Sequence, residues 1–339
     1  MRTFRFESFG LDRLHAVETD VPEPGPGEVR VEVKALSLNY RDILVVEGAY
    51  NPKLRLPATP VSDAAGVVRA VGENVEAVKV GDEVVSVFVS GWLSGPFRDS
   101  YVKTTLGTPG PGMAAEQVVL PAAAVLAKPA HLDFAQASTL VCAYLTAWSC
   151  LVTEAGFDPS GAVDKTVLTL GTGGVSVAAL QLAKLMGCRV AITSSDDDKL
   201  ARAKQLGADF TVNYRSEPEW AKAVAQWSDG GADLVIDTAG RETLPHSLRA
   251  VKGGGTIAVL GALTGLDAEL NTGLVMMRRI RLAGVLVDSR AAFQQMLRFV
   301  ERHSLEPVVD RTEPFERLPE ALAEMKKGSH FGKLVLTRS

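Results

Sequence analysis

The sequence predicts an α/β protein in which a doubly wound parallel sheet is carried in the middle of the chain, inside a mainly β segment. Three observations predict this. An apolar run, Val167-Leu-Thr-Leu, leads into Gly171-Thr-Gly173-Gly174-Val175-Ser176 and then into a helical stretch ending near Met186 and Gly187. Strand-like and helical runs then alternate as far as Gly261, the pattern of crossover units and parallel pairing. The residues before this region are rich in Val, Gly and Pro and form short strand-like runs separated by turns.

In the first region, Pro22-Glu-Pro-Gly-Pro-Gly-Glu28 precedes the alternating Val29-Arg-Val-Glu-Val-Lys34, and Ala65 to Gly72 precedes Val80 to Ser86. Period-2 alternation between turn residues reads as an all-β, barrel-like domain. The glycine turn follows. A strand, a glycine-rich turn and a helix aim backbone N–H groups and a helix N-terminus at a pyrophosphate, so the ligand expected is a nicotinamide dinucleotide. The G-x-G-x-x-G pattern asks for a third glycine where this chain has Ser176, which is small enough to be tolerated.

A second strand, Cys188 to Thr193, ends in Ser194-Ser195-Asp196-Asp197-Asp198-Lys199, and a helix runs from about Lys199 to Gln205 and stops at Gly207. A third strand near Phe210 to Asn213 leads to Tyr214, and a helix follows around Pro218 to Trp227. Ala232 to Asp237 reads as a fourth strand and Thr256 to Leu260 as a fifth, each ending where ligands bind in doubly wound sheets. Helical segments at Ala291 to His303 and Glu316 to Met325, then a closing strand from Gly332 to Leu336, read as a return to the first domain.

Composition excludes several classes. With 339 residues, 46% hydrophobic and 22% charged, the chain can fill more than one core. A net charge of -4 gives no general attraction to nucleic acid or anionic membranes. Met1 to Glu7 lacks the apolar core of a signal peptide and no apolar run is long enough to span a bilayer, so the cytoplasm is the expected compartment. Cys142, Cys150 and Cys188 form neither a disulfide framework nor a Cys-x-x-Cys zinc pair and read as small buried residues. His15, His131, His246, His303 and His330 are scattered, and no Gly-x-Ser-x-Gly elbow supports hydrolase chemistry.

Eight segments taken in order resemble the medium-chain dehydrogenase/reductases, especially their zinc-free quinone-oxidoreductase and alcohol-dehydrogenase-like branches. They are Ser37-Leu-Asn39-Tyr-Arg-Asp42, Ala64-Ala-Gly66-Val-Val with Val71-Gly72, Val80-Gly-Asp82-Glu-Val, Ala115 to Pro121, Leu145-Thr146-Ala-Trp148, Gly171 to Val175, Leu206-Gly-Ala-Asp209 and Phe331-Gly-Lys-Leu-Val335. The resemblance implies a GroES-like catalytic domain interrupted by a Rossmann domain, with the active site in the cleft between them. The expected boundaries are 1–127 for the GroES-like domain, 128–289 for the Rossmann domain and 290–339 for the return.

Zinc members of the family hold their metal through a cysteine, a Gly-His-Glu histidine and a third cysteine or carboxylate. Alignment on Asp42 and Gly66 places Asn39 at the first position and Ser62-Asp63 at His-Glu, leaving Cys142 alone at a ligand-like position. One thiolate without partners cannot make a three-ligand site, so no metal is expected. No cysteine occurs between Val85 and Ala115, where the structural zinc lobe would lie.

Without a Lewis acid, hydrogen-bond donors must polarise the carbonyl, or the bond reduced must already be activated. That favours a quinone or a conjugated enone, in which hydride reaches the β-carbon while charge develops on oxygen. The resemblance places Asn39 and Tyr50 beside the nicotinamide and Tyr40 and Asp42 in the same segment, Asp42 orienting neighbours. Against these roles, Asn and Asp after a strand often cap a turn, and a tyrosine in Gly48-Ala-Tyr50-Asn-Pro52 often packs a loop.

An NAD site would put an acid against the ribose hydroxyls at the end of the second strand; this chain has Ser194, which can donate to a 2′-phosphate. Lys199 can add a positive charge, and Tyr214 matches an adenosine-side tyrosine of NADPH-using relatives. Asp196, Asp197 and Asp198 read as a solvated helix N-terminus. NADP(H) is therefore expected over NAD(H). The resemblance adds Thr146 at the nicotinamide side, Gly171, Gly173, Gly174 and Val175 at the pyrophosphate, Gly261 and Leu263 after the fifth strand, and Lys333, whose alternative is a solvated surface charge. Ile280 to Val287 resembles the edge strand through which relatives pair into a homodimer, or is an ordinary sixth strand. Two alternatives stand beside the quinone or enone reductase: a zinc-free alcohol or aldehyde oxidoreductase, and a nucleotide-binding protein without turnover, crystallin-like or RNA-binding.

Overall fold

A computed structural model describes residues 1–261, 263–265 and 267–338. The chain forms two compact units, Met1–Leu145 with Asp288–Ser339, and Thr146–Val287. The sequence patterns put the edges at 127/128 and 289/290; in the structure residues 128–145 belong to the first unit. The cause is packing: the helix Phe134–Ser138 buries Ala135 against Ala35 and Val335 of that unit.

The second unit is a Rossmann sheet of six parallel strands. Their order is Phe210–Asn213, Arg189–Ser194, Thr166–Thr169, Ala232–Asp237, Val251–Val259 and Arg281–Gly284. The central strands are covered on both faces, so Val167, Leu168, Leu234, Val235 and Ile236 are all fully buried and the sequence reads as continuous apolar runs. The winding reverses beside Thr166–Thr169, and the glycine turn leaves that strand at the switch point. The fifth strand is longer than its apolar run, because Val251-Lys-Gly-Gly-Gly extends it backwards, whereas the sixth shrinks to Arg281–Gly284.

The first unit holds a seven-stranded sheet of order Val309–Pro314, Lys333–Thr337, Glu28–Ser37, Asp63–Val71, Glu83–Ser86 and Val125–Ala127, with Gln117–Pro121 also pairing Glu28–Ser37. Glu28–Ser37 pairs with Asp63–Val71 along one edge and is long enough to serve two partners along the other. Its first half pairs with Gln117–Pro121 and its last residues pair antiparallel with Lys333–Thr337, Val335 facing Ser37. The C-terminal segment therefore does return to this unit. Val309–Pro314 carries charge at nearly every second position and gives no apolar alternation, so pattern reading passes over it; it is an edge strand parallel to Lys333–Thr337.

Two π-helical stretches, Leu140–Tyr144 and Ser149–Glu154, flank the short helix Leu145–Trp148. Widened helical turns of this kind free backbone groups for other partners, and in the first of them the Cys142 N–H donates to Asp63 Oδ2 at 3.1 Å. Among the described residues, no helix is long and apolar enough to cross a membrane.

Candidate functional site

The glycine turn of the Rossmann unit is built to receive a ligand. Gly171 has φ 76, a backbone conformation that side chains disfavour, and its N–H donates to Thr193 Oγ1 at 3.1 Å. Gly173 is the N-cap of the helix Gly174–Leu185 and no side chain caps that helix. A Cβ at Gly171 or Gly173 would meet nothing within 4 Å, so the turn faces open space. Ser176, in the place of the third glycine, is buried and donates its hydroxyl to the Leu170 carbonyl at 2.7 Å, which explains why a small polar residue serves there. Uncapped N–H groups at a helix N-terminus over an open glycine turn fit a pyrophosphate.

The residues expected around the adenosine lie together at the ends of two adjacent strands. Asn213 pairs with Ser194, and the Tyr214 N–H donates to the Ser194 carbonyl at 3.0 Å. Ser194 Oγ accepts from the Asp196 N–H at 3.2 Å. Asp196 in turn caps the helix Asp197–Gln205 by accepting from the Lys199 N–H at 3.1 Å, and Asp197 accepts from Asn213 Nδ2 at 2.8 Å. Two of the three acids are thus tied down as helix-terminus groups. Tyr214 is 43% exposed. Thr146 is buried in Leu145–Trp148; Gly261 follows Val251–Val259, and Leu263 beyond it is exposed.

The first unit gathers Asn39, Tyr40, Asp42, Tyr50 and Lys333 around one helix start. Glu28–Ser37 ends, Asn39 becomes the N-cap of the helix Tyr40–Val46, and the Asn39 N–H donates to Asp42 Oδ2 at 2.8 Å. Asp42 is completely buried, and its Oδ1 receives no hydrogen bond. The nearest cation is Arg41, 3.8 Å from that oxygen. Burial pushes the Asp42 carboxyl up to about 6, against the pull of Arg41, and the neighbouring Asp63 charge adds to the rise.

Lys333 is not a surface charge. It is 3% exposed and stands on the strand beside the end of Glu28–Ser37, its ammonium donating to the Leu38 carbonyl and to Asn39 Oδ1, the latter at 2.6 Å. Gly332, with φ 78, turns the chain immediately before it, and a Cβ there would lie 2.8 Å from the Val308 carbonyl oxygen. Asp63, also fully buried, accepts from Ser62 Oγ at 2.7 Å and from the Cys142 N–H. Burial raises its carboxyl, with Lys333 the strongest opposing influence and the Asn39 side chain the next. The Asn39 Nδ2 is buried and faces that charge without meeting hydrogen-bond geometry.

Tyr50 joins the cluster through Arg41. The guanidinium carbon lies 4.9 Å from the Tyr50 ring centre and 4.9 Å from that of Phe88, and Arg41 Nη1 donates to the Leu106 carbonyl at 3.1 Å. Tyr40 and Tyr50 are more than one-third exposed. The sequence reading missed Arg41. The available signal was charge balance: two buried acids, Asp42 in a helix and Asp63 at a strand start, require cations, and Arg41 adjoins one of them.

The three positions aligned with zinc ligands lie in this cluster. Asn39 Oδ1 is taken by an ammonium, Ser62 stands at the histidine position and donates its hydroxyl to Asp63 Oδ1 at 2.7 Å, and burial pushes the Cys142 thiol up to about 12. Among the described residues, no three His, Cys, Asp or Glu side chains are grouped to hold a metal ion.

Comparison with known proteins shows the family. Residues 25–130 match the alcohol dehydrogenase GroES-like domain and residues 174–302 the zinc-binding dehydrogenase family. A zinc-type alcohol dehydrogenase-like protein of Schizosaccharomyces pombe is 39% identical, the match covering 97% of this chain and 96% of the relative. A quinone oxidoreductase of Lama guanicoe is 28% identical over 99% of this chain and 97% of its own. The solved structure of an NAD-dependent alcohol dehydrogenase superposes with a TM-score of 0.90 at 38% identity, covering 100% of both chains. The chain belongs to the medium-chain dehydrogenase/reductase superfamily. Within it, it is an NAD(P)-dependent oxidoreductase, which sets aside the reading as a nucleotide-binding protein without turnover.

Proposed function

We propose that this oxidoreductase is zinc-independent and uses NADPH to reduce a quinone or a conjugated enone. The observation that carries the reading is what stands at the ligand-aligned positions: an amide whose oxygen is bonded to an ammonium, a serine whose hydroxyl donates to Asp63, and a single cysteine. A divalent cation placed there would face Lys333 and Arg41 and would find one cysteine and no imidazole.

The bound nicotinamide supplies the hydride. The chain's own residues then have to stabilise charge on the substrate oxygen, and Asn39 Nδ2, buried with no hydrogen bond of its own, is the first donor. The Tyr50 hydroxyl is the second donor and the proton source. Tyr40 and Asp42 shape the helix start that carries Asn39, Asp42 by holding the Asn39 backbone N–H. On the cofactor, Gly171, Gly173, Gly174 and Val175 take the pyrophosphate, Ser194, Lys199 and Tyr214 the 2′-phosphate end, and Thr146, Gly261 and Leu263 the nicotinamide half. Asp196 and Asp197 are held by the Lys199 N–H and by Asn213, and the support for NADPH is Ser194 in the place of a ribose-binding acid.

A second reading has its own support. The Schizosaccharomyces relative and the superposed structure are named as alcohol dehydrogenases, the latter NAD-dependent, which favours an alcohol or aldehyde oxidoreductase. One experiment separates them: oxidation of NADPH and of NADH by chelator-treated protein, with a 1,2-quinone, an α,β-unsaturated ketone and a simple aldehyde in parallel. Chelation-resistant NADPH turnover of quinone or enone is expected. Turnover of aldehyde alone favours the second reading, and loss of turnover with chelation, restored by zinc, overturns the zinc-free assignment.

We further propose a homodimer built on the strand Arg281–Gly284, which ends the Rossmann sheet and, among the described residues, pairs with one neighbour. Light scattering after size exclusion tests it; the expected mass is twice that of the chain.

A further inference from the structure

We propose that Lys333 is a positioning residue: its ammonium, anchored on the Leu38 carbonyl, grips Asn39 Oδ1 and thereby fixes the Asn39 side chain with its NH2 as the donor end. The inference deepens the reductase reading and rests on Asn39 acting there as a donor. Three observations carry it.

An amide side chain can present either its oxygen or its NH2 to a given point, and a half-turn exchanges them. Two contacts set this choice for Asn39: Lys333 donates to Oδ1 at 2.6 Å, and Nδ2 faces the Asp63 carboxylate. A cation on the oxygen forbids the flipped arrangement, because the flip would put an NH2 against an ammonium. Nδ2 is buried, faces Asp63 and meets no hydrogen-bond geometry there, so its donors are the part of the amide proposed to serve a ligand oxygen.

The ammonium itself is held from several sides. Leu38 and Leu334 are joined by a backbone hydrogen bond at 3.0 Å, so the strand that carries Lys333 is locked to the chain that carries Asn39. Gly332 is required for the turn that brings Lys333 in. The two buried carboxylates, Asp42 and Asp63, provide the opposing charge that makes a buried lysine tolerable. A fixed donor aimed at developing charge costs no reorganisation during the reaction, which is the condition for an effective oxyanion contact.

The role differs from a direct cofactor contact in what it changes. Lys333→Met keeps the length of the side chain and removes the charge. With an enone that the wild-type protein reduces, kcat should fall about 10- to 100-fold, the scale of a weakened or lost oxyanion donor, while the dissociation constant for NADPH stays within twofold. A tenfold weaker NADPH complex with kcat unchanged at saturation would overturn the proposal and make Lys333 a cofactor ligand. Should Lys333→Met fail to fold for want of a counter-charge, Lys333→Met combined with Asp63→Asn removes the unpaired acid and should fold while keeping the kcat defect.

A second readout does not depend on turnover. The chain has five asparagines, so 15N-asparagine labelling gives few side-chain NH2 signals, and the Asn39 pair is assigned by its loss in Asn39→Asp. Lys333→Met should shift or exchange-broaden that pair alone, and an unmoved pair would overturn the proposal. Asn39→Asp also separates the two levels: if it retains full enone turnover, the donor reading itself fails. If it loses turnover while Lys333→Met does not, only the positioning role fails.

Discussion

Asp42 in the first unit and Asp237 in the second are both completely buried, and they are treated in opposite ways. Asp237 ends the strand Ala232–Asp237 and accepts four hydrogen bonds: the Ala239 N–H at 3.1 Å, the Gly240 N–H at 3.0 Å, Thr243 Oγ1 at 2.6 Å and Ser247 Oγ at 2.7 Å. Asp42 has one, and its other oxygen has none. A carboxylate wrapped in donors is a fastener for the loop that wraps it. One left short of donors keeps its charge at a cost, and the protein balances it with cations supplied from elsewhere. The difference is one of hydrogen bonding: the Asp237 carboxylate is fully engaged, and the Asp42 carboxylate keeps one oxygen with no hydrogen bond.

Substitutions can break this contrast. The largest effect belongs to Asp237→Ala, which leaves two backbone N–H groups and two hydroxyls without their acceptor in the core; a loss of about 3–5 kcal/mol in urea unfolding at pH 7 is expected. A loss below 1 kcal/mol would mean that water reaches the loop and that the two aspartates are less different than their hydrogen bonds indicate.

Asp42→Asn should act in the opposite direction. The folded state raises the Asp42 carboxyl from 3.8 to about 6 and so favours the protonated form. The stability this contributes is fully present below about pH 4 and is lost as pH rises through 6. The asparagine variant keeps an acceptor for the Asn39 N–H and removes the buried charge. It should therefore be more stable than wild type at pH 7 by on the order of 2 kcal/mol, and its stability should change less between pH 4 and 6. Unfolding curves across that range are the test. A variant less stable than wild type at pH 7 would show that the ionised form is the better paired one.

Tyr50→Phe sharpens the functional side. The ring against Arg41 is retained, so stability should change by no more than about 0.5 kcal/mol, while enone turnover should fall several-fold if the hydroxyl donates. Unchanged turnover would leave Tyr50 as a lid over Arg41. The smallest effect is expected at Cys142: because burial holds its thiol protonated, alkylation by iodoacetamide at pH 8 should be much slower than for a free cysteine.

The contrast between the aspartates also explains what could be read from the sequence. The Rossmann half was legible because its determinants are local. The turn Gly171 to Gly174, the apolar strands and the caps at Asp196 and Gly207 each act within a few residues, and Asp237 finds its partners at Thr243 and Ser247, a few residues on. The cluster in the other unit is assembled from four separated places: Asn39 to Asp42, Ser62 and Asp63, Cys142, and Lys333. A resemblance in those segments named Asn39, Asp42, Tyr50 and Lys333, but no local rule showed that Lys333 would reach Asn39 or that Arg41 would lie between two rings. The hint was a lysine in Phe331-Gly-Lys-Leu-Val-Leu336, where every other large side chain is buried core. The strand Val309–Pro314 and the π-helical turns were hidden for the same reason, since edge pairing and a widened turn are settled by distant neighbours.

The return of Lys333–Thr337 to the strand Glu28–Ser37 has a consequence for the order in which the protein is made. On a ribosome adding roughly 5–20 residues per second, the acids Asp42 and Asp63 emerge on the order of ten seconds or more before their lysine. The Rossmann unit is synthesised whole in that interval and has every strand it needs, whereas the first unit waits with its sheet open along one side. In a nascent chain that edge is the part in need of protection, and a ribosome stalled before Gly332 would release a protein with one finished half and one half that cannot close.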